Sequence, residues 1–146
     1  MSKYSDGYYV LTKHSGIDQP YHWVLKAPNH EVILTSENYS SKHAALNGIE
    51  SVQENCNLDK NYSKKTASDG SPYFTLHAKN SLVIGTSEMY SSNEARDKGI
   101  EAVKNYGITT IIVDETNTSG GNNGNTSGAA VISSKPTKNE NAGRYA

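Results

Sequence analysis

A single cysteine, Cys56, leaves no disulfide possible within the chain. It reads as a small, half-buried residue at a helix end, because no thiolate-stabilising neighbour can be named for it. Hydrophobic residues make up only 34% of the 146 positions, and no run approaches the length of a membrane span. The opening MSKYSDGYYV lacks the apolar stretch of a secretory signal, so no membrane association and a cytoplasmic localisation are expected. The Asn-x-Ser/Thr triplets at Asn38, Asn61, Asn117 and Asn125 are then coincidences of an Asn- and Ser-rich sequence. Charge of either sign is also scarce in net terms. Lys135, Lys138 and Arg144 against Glu140 make residues 117–146 +2, so the total of −1 leaves the body at −3. A mildly acidic body gives nucleic acid nothing to hold.

The chemistry-bearing motifs are missing as well. His14, His22, His30, His43 and His77 show no ligand spacing and no i,i+4 pair, so no metal and no cofactor are expected. Gly120-Gly121-Asn122 is not set between a strand and a helix, as a phosphate loop would be. No nucleophile elbow is present. No catalytic residue, and hence no enzyme, is expected.

What the chain does have is a duplication. TSENYSS at 35–41 returns as TSEMYSS at 86–92, 51 positions later, and 16 of the 34 positions from 22–55 recur at 73–106 without a gap. Two copies are too few for a solenoid. A pseudo-twofold pair sharing one core is expected instead, within one domain at 1–116 made of repeats at about 7–60 and 61–116.

Each repeat reads as strands followed by a helix. GYYVLT at 7–12 is β-prone, and KHSGIDQP at 13–20 is turn chemistry. In YHWVLKA, Trp23, Leu25 and Ala27 alternate with His22, Val24 and Lys26; Phe74, Leu76 and Ala78 repeat the apolar set. Asn29-His30 and Asn80-Ser81 read as two-residue hairpin tips. That register pairs Ala27 with Val32 and Leu25 with Leu34, and puts Ile33 and Ile84 on the face away from the core. Ser40 and Ser91 read as N-caps, with Glu94 completing a capping box for the second. Ala44, Gly48, Ile49 and Val52, and again Ala95, Gly99, Ile100 and Val103, form the apolar helix stripes. A glycine kept inside both helices costs about 1 kcal/mol relative to alanine, which points to a close approach to the sheet. NYSKKTAS at 61–68 and ITTIIVDE at 108–115 follow the two helices as strands. These elements predict one antiparallel sheet with both helices packed on one face, centred on Trp23, Leu25, Phe74, Leu76, Ile49 and Ile100. Residues 117–146 are low in complexity and expected to be disordered.

The pattern A-x-N-x-x-V-I-x-T-S-E-x-Y-S-S, then A-x-x-x-G-I-E-x-V, runs from Ala27 to Val52 and again from Ala78 to Val103. It resembles the YegP-like family of small domains of unknown function. The resemblance spans roughly residues 4–115. It implies an α+β fold of tandem β-β-β-α-β units sharing one sheet, with C-terminal strands exchanged between the halves, and it implies no activity. The family's usual Asn-Gly turn is replaced here by Asn29-His30 and Asn80-Ser81.

One polar cluster is repeated intact: Ser36, Glu37, Tyr39 and Ser40, with Ser87, Glu88, Tyr90 and Ser91. As a site, it would bind a ligand twice across the pseudo-twofold. As scaffold, its carboxylates would accept helix N–H bonds and its serines would cap, which is the favoured reading. A non-enzymatic binding or interaction module is therefore expected, a monomer with an internal pseudo-dimer, taking a protein or small-molecule partner. Its uncovered face would offer Val24, Ile33, Thr75 and Ile84. The alternatives are a nucleic-acid binder stacking bases on tyrosines, and a small-molecule site or enzyme at the repeated motif.

Overall fold

The computed structural model describes residues 6–116 and the backbone of residues 130–133. Its strands are β1 (Tyr8–Lys13), β2 (Tyr21–Lys26), β3 (Val32–Ser36), β4 (Tyr62–Thr66), β5 (Pro72–His77), β6 (Val83–Thr86), β7 (Ile111–Asp114) and β8 (Ala130–Ser133). Helix α1 (Lys42–Asn55) follows β3, and α2 (Asn93–Tyr106) follows β6. All eight strands form one sheet in the order β4-β5-β6-β3-β2-β1-β7-β8. The halves meet at the antiparallel β3–β6 pair, where Thr35 faces Thr86. These are equivalent residues of the two repeats, so the pseudo-twofold passes between them.

Period-2 alternation delivers the core as expected. Trp23, Leu25, Phe74 and Leu76 are fully buried, and Ile49 and Ile100 close over them from the helices. Burying each such side chain contributes roughly 1.5–3 kcal/mol. Gly48, Ile49 and Val52, and Gly99, Ile100 and Val103, are buried as the helix stripes predict; only the first position of each stripe moves, with Ala45 and Arg96 buried and Ala44 and Ala95 half-buried.

The hairpin tips differ from the expected two-residue turns. His30 N–H donates to the Ala27 carbonyl and Ala27 N–H to the Glu31 carbonyl, with Ala78, Ser81 and Leu82 repeating the pattern. The positive φ falls on His30 (74°) and Ser81 (73°). Asn29 and Asn80 serve differently, each side chain accepting the N–H two residues on at 3.0 Å. Leu25 pairs with Leu34 as expected, but beyond it the longer turn shifts the register, so Lys26 rather than Ala27 pairs with Val32, and Ile33 becomes the extra residue of a β-bulge. The same bulge lies between Leu76 and His77. It turns Ile33 and Ile84 into the core. Thr75 is buried too. The uncovered face thus lacks most of the apolar surface expected of it.

The strands that follow the helices are exchanged: β4 lies against β5 and β7 against β1. The sheet is mixed, however, because β7 runs parallel to β1. β4 both ends the first unit and begins the second, taking the slot beside β5. In the first half β1 already fills the equivalent slot beside β2, so β7 comes to rest outside it, in the same direction. Tyrosines secure the seam. Tyr9 Oη donates to the Gly107 carbonyl at 2.7 Å, at the end of α2, and its counterpart Tyr62 donates to the Cys56 carbonyl, at the end of α1. Beyond residue 116, Ala130–Ser133 pairs antiparallel with β7, which corrects the expectation of disorder for those residues. Ala-Val-Ile is a short β-prone run there, masked by the surrounding composition. The rest of the expected tail lies outside the described residues.

Candidate functional site

The repeated motif begins at the pseudo-twofold and then diverges. Because β3 and β6 are antiparallel, the two copies leave the sheet centre in opposite directions and do not converge on one site. Ser36 Oγ accepts the Trp23 N–H at 2.9 Å and donates to the Glu37 carbonyl. Ser87 does the same with Phe74 and Glu88. These hydroxyls satisfy strand N–H groups at the point where the ladder ends. Glu37, Glu88, Ser40 and Ser91 are exposed. The N-caps are Ser41 and Ser92, one residue later than expected, accepting from Ala44 and Ala95 N–H at 3.0 Å. The carboxylate-to-helix bonds and the Ser91–Glu94 box are therefore not the device used. The second serine of each pair holds the extended conformation that a cap requires.

Tyr39 and Tyr90 explain the helix glycines. A Cβ on Gly48 would stand 2.7 Å from Tyr39 Cζ and 3.1 Å from Trp23 Nε1, and one on Gly99 would stand 2.6 Å from Tyr90 Cζ and 3.2 Å from Phe74. The close approach is thus to the motif's own tyrosine, nine residues upstream, wedged between helix and sheet. Burial, then the charge of Glu37, pushes the Tyr39 phenol up to about 12, the Trp23 indole opposing. Burial, Glu88 and Glu31 raise Tyr90. The Trp23 indole N–H is buried beside Tyr39 Oη without closing a well-formed hydrogen bond.

Beside Tyr39 a cleft of about 260 Å³ opens between α1 and the β5–β6 hairpin. Ala44, Gly48, Ala78, Val83 and Ile84 give it apolar walls, and Asn47, Ser51 and Asn80 are its polar groups. Leu82, at its lining, is 66% exposed. Of the residues expected from the motif, Tyr39 is the one found in this lining. The others come from the helix and from the opposite half, which no local motif links. One signal was present in the repeat: Asn47 and Leu82 correspond to Lys98 and Glu31, so the copies differ in charge where this cleft is neutral.

A second cluster lies at the far end of the β1–β2 hairpin. His14 Nε2 is 3.1 Å from His22 Nδ1, which is also 3.1 Å from Thr12 Oγ1. Burial, then His14, lowers the His22 pKa. The sequence hid this pair because it is diagonal across two strands rather than spaced along one. Elsewhere Thr75 Oγ1 meets His77 Nε2 at 2.8 Å, and His77 Nδ1 donates to the Ser81 carbonyl. With Thr75 buried, this arrangement orders the hairpin and presents no reachable nucleophile. Among the described residues, no helix is long and apolar enough to cross a membrane.

The family described as "Domain of unknown function (DUF1508)" matches the chain twice, at residues 18–62 and 67–114. A UPF0339 protein of Shewanella oneidensis is 54% identical over 110 residues, which cover 75% of this chain and 98% of that protein. The solution NMR structure of a Shewanella oneidensis UPF0339 protein superposes with a TM-score of 0.71 at 51% identity, covering 76% of this chain and 92% of the other. That of yegP from E. coli, described as of unknown function, gives 0.71 at 45% identity, with 76% and 94% covered.

Proposed function

The chain belongs to the DUF1508 family, and on that footing we propose that it is a non-enzymatic binding module whose ligand is a small, uncharged, mainly apolar molecule held between α1 and the β5–β6 hairpin. The observation that carries this reading is the cleft itself. Its walls are apolar, a few polar groups fix orientation, and it joins the two halves of the duplication. At about 260 Å³ it falls just under the ~300–1,000 Å³ of sites for drug-sized ligands, so its occupant is fragment-sized. The apolar lining supplies affinity and Asn47, Ser51, Asn80 and Tyr39 supply selectivity. The carboxylates of the repeated motif take no part, since they are exposed and lie outside the lining of the cleft.

The test is an amide NMR screen of uncharged fragments, followed by Ala44→Leu, which fills the cleft from α1. Binders should shift the amides of Tyr39, Gly48, Ala78 and Leu82, and Ala44→Leu should abolish the shifts while leaving the unfolding midpoint in place. Binders that map to the uncovered sheet face, or that survive Ala44→Leu, would overturn the reading.

A further inference from the structure

The duplication leaves one strand slot unmatched. β4 sits in the second half where β1 sits in the first, with Tyr62 in the place of Tyr9 and Lys64 in that of Leu11. Outside β1 lies β7, running parallel to it. Among the described residues β4 has one neighbour, β5, and forms an edge of the sheet. We propose that this edge binds an extended segment of a partner protein, added parallel to β4 in the place that β7 takes beside β1, with an uncharged β-branched residue seated against Tyr62 and Ile100.

The edge has bonds to offer. Lys64 faces Phe74, whose N–H and carbonyl are both bonded to Ser87 on the opposite side. Such a facing pair turns its backbone groups away from each other, so the Lys64 N–H and carbonyl point out of the sheet edge. Leu11 shows their use, since its carbonyl accepts the Glu115 N–H at 2.8 Å. The edge also has room. A groove of about 460 Å³ lies between β4 and α2, lined by Asp59, Tyr62, Lys64, Asp97, Ile100 and Glu101. In the first half the matching place belongs to β7. Ile112 stands opposite Tyr9 and is 2% exposed, and α1 holds this run near both ends, through Gln53 to the Thr109 carbonyl at 2.8 Å and Lys42 to Asp114 at 2.6 Å. The two slots differ in polarity, and the difference defines the occupant. Leu11 and Leu46 correspond to Lys64 and Asp97, which form an ion pair at 3.3 Å. The groove therefore meets water well when empty, which suits a strand that comes and goes. Its three carboxylates are matched by Lys64, Arg96 and Lys104, and Lys42 corresponds to Asn93, so no charge is required where β7 carries Asp114. Lys64 and Lys65 are exposed and oppose the pairing of two β4 edges, which disfavours a second copy as the occupant. Main-chain bonds along the edge supply affinity, and the apolar contact supplies selectivity.

The experiment titrates the untagged full chain, by amide NMR, with a capped peptide of the β7 sequence Thr109–Thr116 carrying Asp114→Asn, because β7 is what fills the equivalent slot. Expected are saturable shifts centred on Tyr62–Thr66 and Ile100, with Tyr39 and Leu82 at the separate cleft unmoved. A spin label on the peptide's C-terminus should broaden Thr66 more than Tyr62, as a parallel strand requires, and Ile112→Asn in the peptide should abolish the shifts. Lys64→Pro removes the outward N–H while leaving the bonds to β5 in place, a substitution that free strand edges accept. It should weaken binding at least ~10-fold, about the worth of one hydrogen bond. Lys64→Ala removes only an exposed ion pair and should stay within ~3-fold of wild type. Absence of saturable shifts, an antiparallel broadening pattern, retention in Lys64→Pro, an equal loss in Lys64→Ala, shifts confined to the β7–β8 edge, or self-association of the chain through β4 in sedimentation would overturn the proposal.

Discussion

Gly48→Ala tests whether the wedge under α1 is real, because two effects of opposite sign meet there. Helix propensity alone favours alanine by about 1 kcal/mol. Sterically, the new methyl would stand 2.7 Å from Tyr39 Cζ and 3.1 Å from Trp23 Nε1, well inside the ~3.5–4.0 Å optimum for non-bonded carbons. Tyr39 has little freedom to retreat. Its N–H and carbonyl are both bonded to Tyr21, at 2.8 and 3.1 Å, and Trp23 is fully buried behind it. Overpacking of this kind costs typically 1–3 kcal/mol; with so rigid a neighbour the upper half of that range applies. The balance is a net loss of about 1–2 kcal/mol. Urea denaturation followed by tryptophan fluorescence, which reports on Trp23, should show a lower midpoint with an unchanged slope. In a Tyr39→Ala background the main obstruction is gone and only the 3.1 Å approach to Trp23 Nε1 remains, which the freed space can relieve, so the same substitution should become stabilising by up to about 1 kcal/mol. This reversal is a coupling energy that a double-mutant cycle reads directly. If Gly48→Ala stabilises the protein with Tyr39 in place, the glycine has some other cause and the proposed wedge is wrong.

Asp114 is 4% exposed and accepts from Lys42, which is 38% exposed, at 2.6 Å, and from Thr116. Asp114→Asn should cost about 1–3 kcal/mol at neutral pH, below the full value for a buried pair because Lys42 reaches water. Burial works against the charge, but Lys42 and Thr116 prevail and lower the Asp114 pKa. The contribution is therefore complete above the unfolded carboxylate value, about 3.9, and is lost as pH falls through the lower folded one. The gap between wild type and variant should close in that acid window. Ser81→Gly should stabilise by about 0.5–1 kcal/mol, relief of ~1–2 kcal/mol of left-handed strain exceeding the glycine's added unfolded-state entropy; a lower melting midpoint would refute this. Glu37→Gln and Glu88→Gln should each stay within about 0.5 kcal/mol of wild type, since both carboxylates are exposed and serines cap the helices. A loss above 1 kcal/mol in chemical denaturation would show that they support the helix starts after all.

The sequence made the large-scale plan readable because the duplication repeats its physics. Alternation placed Trp23 and Phe74 in the core, and the TSE-x-YSS copies marked each strand-to-helix corner. Failures came where one residue decides. A positive φ at His30 instead of a symmetric turn shifted a register, and with it Ile33 and Ile84 changed faces. The cap moved from Ser40 to Ser41 because both residue types serve equally well by propensity. The parallel placement of β7 depends on which slot β1 had already filled, a fact about the whole sheet. The cleft and the histidine pair combine residues from different strands or different halves. No spacing rule along one segment can register them.

The parallel β1–β7 pairing has a mechanical consequence. The chain enters the sheet at the start of β1 and leaves its body at the end of β7, and the two strands run the same way side by side. Tension applied from opposite ends of this body would slide one strand lengthwise past the other. Tyr9–Ile112, Val10–Val113 and Leu11–Asp114 would then be loaded together. β8 hangs antiparallel on the outside of β7 and would peel away one residue at a time under the same pull. A chain drawn from its two ends would yield first at its margin, at low force, and then resist at a clamp.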